Sequence, residues 1–458
     1  PEGTRSDAAR ETRDQAARLL RFLGRMVTEN LPVKPASTVE AQLVEGPASG
    51  NVGAARDVAQ QLMSPTDMVG SRLLSRLDFQ QQESLRIALF ELLVRLSDAE
   101  AMSGADGTTT EQATCAEKAL DWLGVARELK EPSRAVLERE LRYLSLLGRN
   151  EESERVQSDL EKTVPQSSLD LFLLAETDRH SGRHESAEQL YRQAAEGDPE
   201  NLQARYFCGW CGLILKRAGA ALADFSQCIE QQPDFAVTYV ARSQTWLQLG
   251  EFGKALADCD QALALDQNLF PAWMARGVVL SEQQRHEDAL ACFDRSVELR
   301  PLAAVPMTNR GEAKRQIGIA ILQERDPAKN QIAADYFVDA IRDFTRVLER
   351  RPLNTRAYLF RVQTRAAMGQ TEQALRELQQ GIVQRGEPRF VVECYRDIGL
   401  IQLASGEFQA ALWSFERALK ITTDNPEVPI PKQKLLLLKN ETLKHLSSRE
   451  DLLASLSR

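Results

Sequence analysis

The chain has 458 residues, 43% of them hydrophobic, and a formal net charge of −9. Such a length suits several globular domains or one long repeat array. The acidity is spread among interspersed charges of both signs, which argues against nucleic acid or an anionic membrane as the main partner.

Residue 1 is a proline, so the chain is expected to continue upstream. Apolar residues recur at the helical period over 7–27 and 81–98, and both stretches are predicted helices. Between them, 31–51 is rich in Pro, Gly and Ser and reads as a loop, as does 103–113 further on. The stretch 117–130, closed by Pro132, reads as half of a decayed repeat. Residues 1–133 are thus expected to form an irregular helical region with loops.

From 134 onward a period takes over. Pro165, Pro199 and Pro233 stand 34 residues apart, and Pro301 lies two periods further on. Small residues recur twelve and five positions before each beat, with a larger one eight before it. These are Ala187, Tyr191 and Ala194; Ala221, Phe225 and Cys228; Ala255, Cys259 and Ala262; and Ala289, Phe293 and Ser296. Small residues let two helices approach, the larger one fills the space between them, and proline ends each pair. Glycines mark the turns at Gly148, Gly182, Gly250, Gly369 and Gly406. A second small residue recurs inside the first helix at Gly209, Ser243, Gly277, Gly311 and Gly399. Glycine costs about 1 kcal/mol inside a helix, so its recurrence points to close helix contact.

This pattern resembles the tetratricopeptide repeat, a 34-residue helix-turn-helix unit. The segments 249–266 and 405–421 carry the resemblance most closely. It implies an all-α solenoid, a right-handed superhelix of antiparallel hairpins, over 134–425 in about eight units. One unit, from 304 to Pro352, carries 17 extra residues; two helices each lengthened by about eight residues would project about 12 Å. Residues 426–458 are expected to form a capping helix with a polar outer face. The stretch 207–263 is also similar to arrays found C-terminal to bacterial serine/threonine protein kinase domains, which implies a regulatory or substrate-recruiting role beside a kinase domain upstream.

The chemistry-bearing residues are sparse. His180 and His184 are four apart, but Gly182 falls between them at a turn, so a surface turn is expected rather than a metal pair. Cys208 and Cys211 form a CxxC, the spacing of a redox pair or half a zinc site, yet both lie inside a first helix where cysteine packs as a small apolar residue. Seven cysteines, an odd number, speak against a full disulfide framework and for a reducing, cytoplasmic setting. No phosphate loop, kinase signature or nucleophile elbow is present. A non-enzyme without cofactor or metal is expected, with no membrane span in this chain.

In the resembled register, the second, fifth, ninth and twelfth positions of each unit face inward on the first helices. They and their neighbours give Phe172, Tyr206, Trp210, Val240, Gln244, Met274, Val278, Thr308, Asn309, Glu312, Leu359 and Gln363 as candidate protein-binding residues. The set is apolar and aromatic at its centre and more polar toward the C-terminus. The Lys and Asn pattern of carboxylate-binding relatives is missing apart from Asn309. An amphipathic helix or apolar peptide of a partner protein would suit such a face. Packing of Tyr206, Trp210 and Met274 against neighbouring helices, or against the chain's own N-terminal helix, is the competing expectation.

Overall fold

The computed structural model describes residues 108–129, 133–165, 167–425 and 432–456, with ten helical positions between Ile87 and Ala101. The predicted helix at 7–27 and loop at 31–51 lie outside the described residues. Among the described residues there is no strand.

The chain divides into two compact units, meeting in sequence between Glu251 and Phe252. The first holds the helical residues up to Ala101 and α1 (Thr109–Leu129). It then has the hairpins α2 (Arg134–Leu146)/α3 (Asn150–Lys162), α4 (Ser168–His180)/α5 (His184–Gly197) and α6 (Leu202–Ile214)/α7 (Ala218–Gln231), followed by α8 (Ala236–Gln248). The second opens with α9 (Phe252–Leu265) and continues with α10 (Phe270–Glu282)/α11 (His286–Leu299), α12 (Ala304–Gln323)/α13 (Asn330–Arg350), α14 (Thr355–Ala367)/α15 (Thr371–Arg385) and α16 (Pro388–Ala404)/α17 (Phe408–Asp424). It closes with α18 (Lys432–Leu456).

The recurring residues explain the hairpins. All twelve of the small and large pattern positions from Ala187 to Ser296 are at most 2% exposed. The helix starts also repeat: Ser167, Asn201 and Asn354 accept from the backbone N–H three residues on, satisfying a donor the helix leaves open. Phe235, Leu269 and Ala303 hold the same place without a side-chain cap. At the hairpin turns Gly148, Gly182, Gly250, Gly369 and Gly406 have positive φ, and Lys216, Gln284 and Arg325 adopt the same strained conformation where glycine is missing. In α3 only Leu160 is buried, because Ser153 and Gln157 stand where the pattern calls for packing residues.

The long hairpin has helices of 20 and 21 residues, against 13 and 14 in α10 and α11. A 3-10 turn at Pro327–Lys329 joins them. Its extension repeats the packing device of the regular part. A Cβ on Gly311 would lie 2.6 Å from the Phe344 ring, and one on Gly318, two turns further, 2.6 Å from Phe337. Backbone and ring occupy the space a side chain would need, so the two helices close tightly.

One loop expectation fails. α1 begins at Thr109, inside the stretch 103–113 that composition marks as a loop. The reason is a reciprocal cap: the Glu111 carboxylate accepts from the Thr108 N–H at 2.7 Å, and the Thr108 hydroxyl accepts from the Glu111 N–H at 3.4 Å.

Candidate partner-binding face

In the first unit α2 touches α4 and α6 touches α8; in the second, α10, α12, α14 and α16 touch in turn. Arg179 of α4 lies over the Phe207 ring of α6 at 4.6 Å, so the first helices form a row within each unit. The candidate residues lie along these rows, and the two rows differ in what covers them.

In the first unit the row carries one of the chain's own helices. Arg95 lies over the Phe172 ring at 5.2 Å, pairs with Glu176 at 3.3 Å and donates to Gln203 at 2.9 Å. Phe172, 1% exposed, also meets Tyr191 with ring centroids 5.6 Å apart. Three residues on, Asp98 accepts from Arg139 at 2.8 Å, Arg142 at 2.5 Å and the Tyr143 hydroxyl at 2.8 Å. Burial alone would raise the Asp98 carboxyl, but Arg139 and Arg142, with the hydrogen bonds from Tyr143 and Arg139, hold it at about 2.

Beyond this helix, Tyr206 and Trp210 sit one turn apart on α6. Trp210 Nε1 donates to the Tyr206 hydroxyl at 2.8 Å. The Tyr206 ring lies 5.8 Å from Phe225 and 6.3 Å from Phe235. Burial pushes the Tyr206 hydroxyl up to about 12, against the lowering effect of the bond from Trp210. Both aromatics are half-buried, as is Gln244 on α8, while Val240 is buried. Gln248 closes the far end by donating to the Leu213 carbonyl at 3.1 Å.

In the second unit Met274 and Val278 are half-buried on α10, Val278 against the cluster of Leu280 and Phe293. Three of the four polar candidates, Thr308, Glu312 and Gln363, have partners within the chain. Thr308 donates to the Ala304 carbonyl at 2.8 Å. Glu312 accepts from Arg315 and Gln316, each at 2.7 Å. Gln363 donates to Asp397 at 2.7 Å, tying α14 to α16. Asn309 is 7% exposed with its Oδ1 lacking a hydrogen bond, and Leu359 lies in the core with Tyr358 and Phe390.

Cys208 and Cys211 are both buried, and His180 and His184 stand on either side of a turn. Burial raises the Cys208 thiol to about 12 and the Cys211 thiol to about 11, the reverse of the low value a redox pair needs. His180 ends α4 and His184 begins α5, with Gly182 at φ 77 between them. Burial, then Arg179, pushes the His180 imidazole below its ordinary value. Among the described residues no three His, Cys, Asp or Glu side chains cluster as metal ligands, and no helix is long and apolar enough to cross a membrane.

Arg95, Asp98 and Arg139 escaped the sequence reading. The available signal was the pair of opposite charges, three apart, at the end of the apolar stripe in 81–98.

Residues 172–234 and 241–304 match the family model described as Tetratricopeptide repeat. A stretch of 81 residues is 31% identical to Tetratricopeptide repeat protein 12 of Mus musculus, covering 18% of this chain and 12% of that protein. Another of 107 residues is 27% identical to the Protein SGT1 homolog of Bos taurus, covering 23% and 32%. The chain thus spans well under two thirds of either relative. The human IFIT1 dimer with PPP-AAAA resembles it in fold, with a TM-score of 0.56 over 87% of this chain and 92% of that one at 14% identity. Over its described residues the chain is an all-α solenoid of the tetratricopeptide-repeat type, a fold that serves as a protein-interaction scaffold.

Proposed function

We propose that this scaffold is non-catalytic and takes an amphipathic helix or apolar peptide of a partner protein on its first-helix rows, with the anchor at Tyr206 and Trp210. The observation that carries this is the aromatic pair itself. The single Trp210 donor is taken up by the Tyr206 hydroxyl, so the half-buried rings offer apolar surface with the Tyr206 O–H as the one donor left for a partner. Large aromatics in such a setting dominate binding energy at protein interfaces. Gln244 beside them supplies a polar contact, and Met274 and Val278 offer a smaller apolar surface in the second unit. Phe172, Val240 and Leu359, all at most 5% exposed, serve packing instead.

Affinity capture with the full chain, run beside Trp210→Ala and Tyr206→Ala, tests the reading. Partners recovered by wild type should be lost or weakened by about thirty-fold or more with either variant, in line with anchor residues worth about 2 kcal/mol or above. Capture unchanged by both would defeat it.

A further inference from the structure

In a stack of hairpins each first helix meets the next one. The helix containing Phe90 and Asp98 does more: Asp98 engages α2, and Arg95 engages both α4 and α6. One helix in contact with three successive first helices lies across the row, as a bound ligand would. Its apolar side enters the same core, since Phe90, Leu93 and Val94 are at most 1% exposed in a cluster with Phe172, Leu173, Ala204 and Cys208. Its polar edge is read by opposite charges, Arg95 by Glu176 and Asp98 by Arg139 and Arg142. Buried ion pairs of this kind contribute more to register than to net stability, because desolvation offsets their attraction.

We infer that the row formed by α2, α4 and α6 is a helix-receiving site whose resident ligand is the chain's own helical segment carrying Phe90, Leu93, Val94, Arg95 and Asp98. The partner segment it takes is a helix with the same code: apolar residues at the spacing of Phe90, Leu93 and Val94, then an arginine, then an aspartate three residues on. This rests on the first-helix rows being the binding face. The resident helix competes from within the chain at an effective concentration in the millimolar range, so a partner must match its code to displace it.

The test uses a fluorescent peptide of residues 87–101, the full wild-type chain, and the full chain carrying Arg95→Glu with Asp98→Arg. In the variant the resident helix faces like charge at both contacts. The peptide should bind the variant at least about ten-fold more tightly than wild type, a difference of about 1.4 kcal/mol. A peptide carrying the same two reversals should not bind the variant. Equal affinity for both chains, or no binding to the variant, overturns the inference. Hydrogen exchange on the wild type guards against a variant that fails to fold: amides of 87–101 should open at least about ten-fold more readily than those of α4 and α6. Equal protection shows a fixed structural layer and also overturns it. Tyr206 and Trp210 take no part in this assay, so its failure leaves the capture result standing, and the reverse holds.

Discussion

The first-helix rows of the two units are built from the same repeat and end up chemically unlike. In the second unit Glu312, Arg315, Gln316, Gln363 and Asp397 satisfy one another within the row. In the first unit the polar groups near α2 and α4 are satisfied by a foreign element, the helical residues around Arg95 and Asp98, while Tyr206 and Trp210 keep apolar ring surface partly open. A repeat fixes where a row of side chains points. What the row binds is decided by whether its members close on each other or need something from outside.

The sharpest way to break the contrast is Asp98→Ala. It leaves Arg139, which is 0% exposed, without its carboxylate. Removing one partner of a buried pair costs about 3–5 kcal/mol, so the first unit should unfold at markedly lower denaturant, whereas Glu312→Ala in the half-buried pair with Arg315 of the second unit should cost less, about 1–2 kcal/mol. Near-equal effects would erase the distinction between the rows. The same carboxylate makes the first unit acid-sensitive. Its folded value near 2 lies below the ordinary 3.8, so its contribution is complete above pH 4 and lost as the pH falls through 2. The stability gap between wild type and Asp98→Asn should therefore narrow over that window by on the order of 2 kcal/mol. A gap independent of pH would show that charge is not what holds the helix.

A smaller effect probes the long hairpin of the second unit. Gly318→Ala places a methyl 2.6 Å from the Phe337 ring and should cost about 1–3 kcal/mol in overpacking, less the gain in helix propensity. Thermal melts that show Gly318→Ala stabilising would mean the extension is loosely packed, unlike the rest. The smallest expected change is a gain. Lys216→Gly in the first unit and Gln284→Gly in the second relieve positive φ at the hairpin turn and should each add a few tenths to about 1 kcal/mol. Opposite signs at the two positions would show that the turns are not equivalent.

The hairpins were legible because each packing position recurs: Ala187, Ala221, Ala255 and Ala289 answer the same steric demand at a fixed interval. The turn residues Lys216, Gln284 and Arg325 were not, since nothing in their chemistry announces a left-handed backbone. Nor was the start of α1, where the cap of Thr108 and Glu111 outweighed a loop-like composition. The crossing helix was hidden for a deeper reason. Its contacts join residues 41 and 108 positions apart, and a period describes only neighbours. Of the candidate site, the aromatic centre at Tyr206 and Trp210 could be located by register. The burial of Phe172 could not, because Arg95 covers it from outside the array.

The most direct measurement places a photo-crosslinking residue at Gln244, on the row beside Trp210, and compares it with one at the exposed Glu230 of α7. Crosslinks to a captured partner that form from Gln244 and vanish with Trp210→Ala, with none from Glu230, are the predicted result. Crosslinks from Glu230 alone, or from both sites regardless of Trp210, would contradict the assignment of this row as the binding face.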